Sequence, residues 1–513
     1  MPSAFSGLEI AKRALYAQQA ALHTTGHNIA NANTEGYTRQ RVNMEATTPY
    51  PYPSLTNDRQ AGQMGTGVIA DSIQRLRERF LDLQYRGEYK KVGQYTAQAD
   101  ALEKIEIILN EPQDKGFQYV MNEFWNSWQK LSERPEDPSV REVVIEKAKT
   151  MTQMFNFTYQ ELEMLQNDFN MQVETRANDI QSYVKQIADL NKQIADVVPH
   201  GYTPNDLYDQ RDLLLDKLSK LVEIDVTQST DGMVNVDMKI ENAGGTLGTL
   251  SLVKDKEYAV VEMAGKNVTV KPPGAATATE INGEDRWFTG GEMKGLVISR
   301  DITIQNYMNR LDALAAHIVK AVNDIHKQGQ KLDPSGTNGL NNAGDFFDPA
   351  TTGAKNMKVL DSLKPDDLAA AVAGAEGTGN NENALKIYEL KTKPYNDGTT
   401  SGITWNQVGT NDGFPVNASG TNKTENSSFD QFFRQVVATL GIQTEETQRL
   451  RDSSNILLGS VDAQRQSVSG VSLDEEMSNM IKFQHAYNAA ARTITAVDEM
   501  LDKIINGMGL VGR

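Results

Sequence analysis

His23 and His27 stand four residues apart, a spacing at which two imidazoles on one face of a helix can grip a metal ion. They lack the intervening glutamate of a zincin, and no third ligand stands at a completing distance. Packed, amide-like roles are therefore expected for them. His317 and His326 are nine apart, and the reading places them on the surface of a helical bundle. Carboxylates abound, yet nothing singles out a glycosidase pair. The Gly-rich stretches do not follow the strand-to-helix layout of a phosphate loop, and no nucleophile is accompanied by a base. The chain has no cysteine, which excludes disulfides and thiolate metal sites. The expectation is no active site, no cofactor and no metal.

The histidine pair lies on a helix of unusual composition. Leu8, Leu15, Leu22 and Ile29 recur every seven residues, with Ala11, Gln18, Thr25 and Ala32 at the second seam position. The other end of the chain answers it. Ser472 and Glu475 have capping-box spacing, and Asn506-Gly507 suits a left-handed stop. A helix of about 33 residues, roughly 50 Å long, is expected between them. Along it Met480, Tyr487, Ile494 and Leu501 alternate with Phe483, Ala490, Val497 and Ile504, an a/d seam over four heptads that asks for a partner helix. Pairing the two seams brings the termini together.

Between Ala14 and Thr34 there is no Lys, Arg, Asp or Glu, and between Phe483 and Val497 only Arg492. A two-stranded coiled coil keeps charges on its outer face. Here that face is Ala, Gln, Asn and Thr. Gln18, Gln19, His23, His27, Asn28, Asn31 and Asn33 make the segment too polar to span a membrane. Such helices pack against protein on several sides, and the neighbours are expected to be other copies of the chain. Gln18 and Gln484 are candidates for fixing register.

At 513 residues the length prior is three or four domains. A net charge of −17 argues against nucleic acid. The first residues carry neither a basic n-region nor a continuous apolar h-region, so no cleaved secretory signal is expected.

In order, residues 49–64 read as a Pro-, Tyr- and Gly-rich linker following an extended run, Thr38 to Met44. Ile73 to Glu111 shows helical spacing at Leu76, Phe80, Leu83, Leu102, Ile105 and Leu109. Its basic residues (Arg75, Arg77, Arg79, Arg86, Lys90, Lys91), interleaved with Glu78, Asp82 and Glu88, read as a solvated, salt-bridged face. Phe117 to Leu131 is a second helix, with Trp125 and Trp128 in the core. Val140 to Val197 is a long amphipathic helix suited to a rod-like bundle. Asp206 to Leu221 is helical, and residues 224–297 alternate as a compact β insertion does. Helices return at Ile302 to Gln328 and Phe429 to Ser467. Residues 329–428 read as irregular and outside the bundle, with one helix near Asn383 to Tyr388. The expected fold is mainly α with an inserted β domain. The expected division is a terminal coiled-coil domain (1–48 with 469–513), a helical bundle (49–223, 298–328, 429–468), the β insertion (224–297) and an outer irregular segment (329–428).

The run Ala30-Asn31-Ala32-Asn33-Thr34-Glu35-Gly36-Tyr37 resembles the N-terminal signature of flagellar rod, hook and hook-associated proteins. Ser469-Gly470-Val471-Ser472-Leu473-Asp474-Glu475-Glu476-Met477, with Met480 to Arg492 after it, is similar to their C-terminal signature. Rod and hook proteins usually carry Ser-Asn-Val where this chain has Ser-Gly-Val, and the long helical middle also favours a hook–filament junction component. The resemblance implies export by the flagellar type III apparatus, an extracellular position in the flagellum, and termini that are disordered before assembly. It implies copies of the chain itself, hook protein on one side and a second hook-associated protein on the other as partners. An export chaperone is implied at Met480 to Ile504. The expected assembly interface is Leu8, Leu15, Leu22, Asn28, Ile29, Asn31, Asn33, Gly36, Tyr37, Met480, Phe483, Gln484, Tyr487, Ile494, Val497, Leu501 and Ile504. The alternatives are another axial component, hook or distal rod, and a secreted enzyme fused to axial ends.

Overall fold

The computed structural model describes residues 6–50, 64–109, 116–242, 245–281, 286–332, 343–374, 379–394, 403–407 and 421–507. Most of the linker expected at 49–64 and much of 329–428 lie outside these residues. About 65% of the described residues are helical, with small sheets inserted, as the periodicities require.

The first helix, α1 (Ser6–Ala30), is followed by a loop and an antiparallel pair, β1 (Gln40–Ala46) and β2 (Val68–Arg75). The helix read from Ile73 begins only at Arg79. Ile73 lies within β2, opposite Val42, and Leu76 donates its amide to the Arg39 carbonyl. In α2 (Arg79–Leu109) the first apolar positions also depart from expectation: Leu81 is buried, while Phe80 and Leu83 are exposed. Further along, Leu102, Ile105 and Leu109 are buried as their spacing predicts.

α3 (Phe117–Glu133) and α4 (Pro138–Val197) form the centre of the bundle. α4 starts where Asp137 accepts the Ser139 amide at 2.9 Å and Pro138 opens the first turn, where its missing N–H costs nothing. Trp125 and Trp128 are fully buried, and Trp125 stacks on Phe429 at 5.9 Å between ring centroids. α5 (Asn205–Leu221) packs beside α4 and leads into the β insertion.

Within the insertion β3 (Ile224–Gln228), β4 (Val234–Asn242), β5 (Leu247–Lys254), β6 (Glu257–Tyr258), β7 (Val260–Ala264), β8 (Asn267–Lys271), β9 (Thr279–Ile281) and β10 (Arg286–Phe288) pair antiparallel in two sheets. Asn191 on α4 holds the first sheet, donating to the Val234 and Asp255 carbonyls at 2.7 Å each and accepting the Val234 amide.

α6 (Glu292–Ile298) runs through a π-helical turn, Ser299–Thr303, into α7 (Ile304–Gln328). The helix therefore starts earlier than Ile302. The turn accommodates the buried Arg300, whose guanidinium pairs with Asp301 and donates to Asn170 Oδ1 at 2.7 Å.

The irregular segment contributes directly to the core. Asn323 on α7 accepts the Phe346 and Phe347 amides and donates to the Phe347 carbonyl, and both phenyl rings are fully buried. His326 is buried too, contrary to the surface position read for it. Nδ1–H donates to the Gly344 carbonyl at 2.7 Å and Nε2 accepts the Ala369 amide at 3.0 Å. His317 Nε2 accepts the Thr404 amide. α8 (Glu382–Glu389) covers α3. α9 (Phe429–Ser469) is capped by Ser428 and Gln431 reciprocally, runs back along α2, and ends at Gly470. α10 (Leu473–Gly507) then turns to α1.

Candidate assembly interface

α1 and α10 lie antiparallel. A Cβ at Gly7 would stand 3.6 Å from Val497, and at the other end Asn28 meets Glu476. Leu8, Leu15, Leu22 and Ile29, with Met480, Phe483, Tyr487, Ile494, Val497 and Leu501, are all half-buried, and Ala11, Thr25 and Ala490 are buried. Gln18 Oε1 is buried and, among the described residues, has no hydrogen-bond partner.

Ile504 and Gln484 do not share that contact. Both are exposed, so Gln484 cannot set register between these two helices. Elsewhere on α10, Met477, Ile481, Met500, Ile504 and Ile505 are open, each at half exposure or more. On α1, Ile10, Tyr16 and His23 are exposed, as is Asn33 in the turn beyond it, whereas Asn31 caps the helix by donating to the His27 carbonyl at 3.0 Å.

The Asn-rich signature does something more specific. Asn28 is 1% exposed, and its amide makes four hydrogen bonds. Nδ2 donates to the Gln40 carbonyl at 2.8 Å and to Glu476 Oε2 at 3.0 Å. Oδ1 accepts from the Gln40 amide at 3.0 Å and the Tyr37 hydroxyl at 2.8 Å. Because the Tyr37 proton is committed to Asn28, His27 Nδ1, at 3.0 Å, must be the donor to the Tyr37 oxygen. The other ring nitrogen of His27 lies 3.7 Å from Asp206. Burial, with Asp206, Asp209 and Glu476 nearby, pushes the Tyr37 phenol upward, so it stays a donor. His23 does not join His27 in any shared site. Among the described residues, no cluster of three or more His, Asp or Glu has metal-ligand geometry.

Gly36 allows the turn that delivers Tyr37. Its φ of +81° is left-handed, and a Cβ there would meet Leu213 Cβ at 3.0 Å. Arg39 then spans to α10, with 2.7 Å contacts to both Glu475 and Glu476, and its amide donates to the Ser469 carbonyl at 2.9 Å. Glu475 thus spends its carboxylate on Arg39 rather than closing a capping box. Only the Ser472 half of the box is made, at 3.5 Å.

Below this node lies a network that has the salt bridges read for the basic cluster but takes Arg75, Arg77 and Arg86 out of solvent, while Arg79 and Lys91 stay exposed. Arg75, Arg77 and Arg86 are 18%, 9% and 12% exposed and converge on α5. Arg75 pairs with Asp209 and Asp212 at 2.8 Å, Arg77 with Asp82 at 2.7 Å, and Arg86 with Asp216 at 2.7 Å. Arg465 from α9 closes it on Asp216 at 2.7 Å. Thr38 and Gln40 tie the strap to the same helix through Asp209 and Asp206. Burial works against charge at Asp212, but Arg77, Arg75 and Arg86 outweigh it and hold the carboxyl below its ordinary value. Sequence reading missed Arg39, Gln40, Glu476, Asp209, Asp212 and Arg465. The available signal was that Arg39 and the Glu475-Glu476 pair put charge immediately beside two otherwise uncharged helices.

A helical chain closed on itself at its ends, with the N-terminal loop strapped to a bundle, has the architecture of a flagellar axial protein. Residues 8–38 match the flagella basal body rod protein family, and 463–507 match the flagellar basal body rod FlgEFG protein C-terminal family. Residues 102–347 match the helical domain of flagellar hook-associated protein FlgK. The chain is 39% identical to flagellar hook-associated protein 1 of Bacillus subtilis (strain 168), covering all of both chains. It is 27% identical to that of Salmonella typhimurium over 96% of this chain and 98% of the other. The flagellar hook junction protein FlgK from Burkholderia pseudomallei shares the fold, with a TM-score of 0.59 at 15% identity over 75% of this chain and 100% of that one. The chain belongs to the flagellar hook-associated protein 1 family, and it is a structural component of the flagellum. No helix among the described residues is long and apolar enough to cross a membrane.

Proposed function

We propose that this chain forms the junction between flagellar hook and filament, assembling from many copies through its paired terminal helices. The observation that carries this reading is the outer surface of α10 beside α1, which leaves Met477, Ile481, Met500, Ile504 and Ile505 exposed and carries only Arg492 as a charge from Phe483 to Val497. Leaving such a face in water is costly, and a wall of identical neighbours removes it. In this reading Leu8, Leu15, Leu22, Ile29, Met480, Phe483, Tyr487, Ile494, Val497 and Leu501 hold the two helices together. Asn28, Gly36 and Tyr37 hold the pair at a set angle to the bundle, and Asn31, Asn33, Gln484 and Ile504 face neighbours.

The chain has no catalytic role. It leaves the cell through the flagellar export route, meets hook protein on one side and a second hook-associated protein on the other, and has its C-terminal helix covered by an export chaperone beforehand. The terminal pair forms the inner layer, the helical bundle a second layer, and residues 224–297 an outer one.

A deletion strain tests this. Hooks of normal length with flagellin released unpolymerised are the expected result, and missing hooks would make the chain a rod or hook component instead.

A further inference from the structure

Beyond its core positions, α4 carries a second heptad series on its outer side. Thr150, Phe157, Met164, Met171 and Asn178 recur every seven residues and are exposed, with Gln153, Gln160 and Asn167 three after the first three. Phe157, Met164 and Met171 are 48%, 55% and 60% exposed, although α4 has a full core stripe on its other side. From Thr150 to Met171 this outward row contains no charged side chain, in a chain whose net charge is −17. Spacing and composition together are those of a helix-packing seam, not of a solvated surface.

We infer that the outward seam of α4 is an association face for a second copy of this chain. Three features favour a copy over another partner. A row without charge lets two strongly acidic molecules approach where their repulsion is least. Glutamine and asparagine both donate and accept, so an amide row meets an amide-bearing surface of its own kind without needing opposite charge. Finally, a contact along one helix about 40 Å long buries less than the roughly 800 Å² per partner of a stable complex. Such a face holds only when other contacts already bring copies together. The inference rests on the assembly reading above and adds a second, lateral contact at the radius of the bundle.

The test is site-specific photo-cross-linking in the full chain, expressed in flagellated cells lacking the native copy. A photoreactive residue replaces Met164 in one strain and Ile481, on α10, in another. The expected result is that both give a product of twice the chain mass containing only this chain, while the same substitution at the charged, exposed Lys393, outside α4, gives none. A Met164 product containing a different protein would overturn the inference, as would no product at Met164 with a doubled one at Ile481, which leaves the terminal assembly intact. No product at either position in flagellated cells overturns both readings. As a second measure, Met164→Lys, at a site too exposed to upset folding, is expected to lower incorporation into flagella, and unchanged incorporation would count against the seam.

Discussion

Asn28 and Glu476 are 448 residues apart in the chain and 3.0 Å apart in the fold. The Asn28 amide is the point where the N-terminal helix, its strap and the C-terminal helix are joined, with every donor and acceptor of one side chain in use.

Asn28→Leu keeps the volume and removes all four bonds, leaving the Gln40 backbone groups and Glu476 unsatisfied in a buried place. The terminal pair is expected to loosen from the bundle by roughly 3 kcal/mol. Amide exchange over residues 473–490 should accelerate, while the unfolding transition seen by Trp125 and Trp128 fluorescence stays in place.

Gly36→Ala places a Cβ at 3.0 Å from Leu213 Cβ in a left-handed conformation. The backbone term alone is about 1–2 kcal/mol. Adding Leu213→Ala removes the contacts to its methyl carbons and should recover only part of the loss in urea denaturation, because the dihedral strain remains.

Asp212→Asn leaves Arg75, Arg77 and Arg86 short of a shared counter-charge in a half-buried network. Roughly 3 kcal/mol of stability is expected to disappear. The Asp212 carboxyl is held below its ordinary value, so its contribution is complete above pH 3.8 and is lost as pH falls through the folded value. The variant should therefore lose part of the wild type's acid sensitivity below that pH, as read by circular dichroism.

His326 acts in a different window. Burial pushes its imidazole from 6.5 down to about 4, since a protonated ring could not accept the Ala369 amide. The unfolded chain then binds the proton first as pH falls, so stability declines between pH 6.5 and 4, by on the order of 3 kcal/mol. Denaturation midpoints at pH 7 and pH 4.5 should differ less in His326→Gln than in the wild type.

The sequence was most legible where burial follows a period. The long α4, the aromatic α3, the strands of residues 224–297 and the two terminal seams are each patterned by one face meeting one neighbour, and a period records that. It was least legible where a residue's environment comes from a distant segment. Leu81 rather than Phe80 is buried, and Arg75 at the end of β2, Arg77 beyond it and Arg86 on α2 meet only once α5 is brought against them. The cap of α10 shows the same limit, because Glu475 found Arg39 in space before it found its own helix.

By itself, then, the amino-acid order determined the helices, the inserted sheets, and that the two ends must meet. Those follow from short-range periodicity and from the absence of charge in the terminal helices. Only the tertiary structure decided that Asn28, Tyr37 and Gly36 serve as an internal clasp, and that the basic cluster is a half-buried bridge to α5 and α9. Hydrogen bonds and ion pairs depend on distance in space, and residues hundreds of positions apart leave no spacing from which that distance can be read.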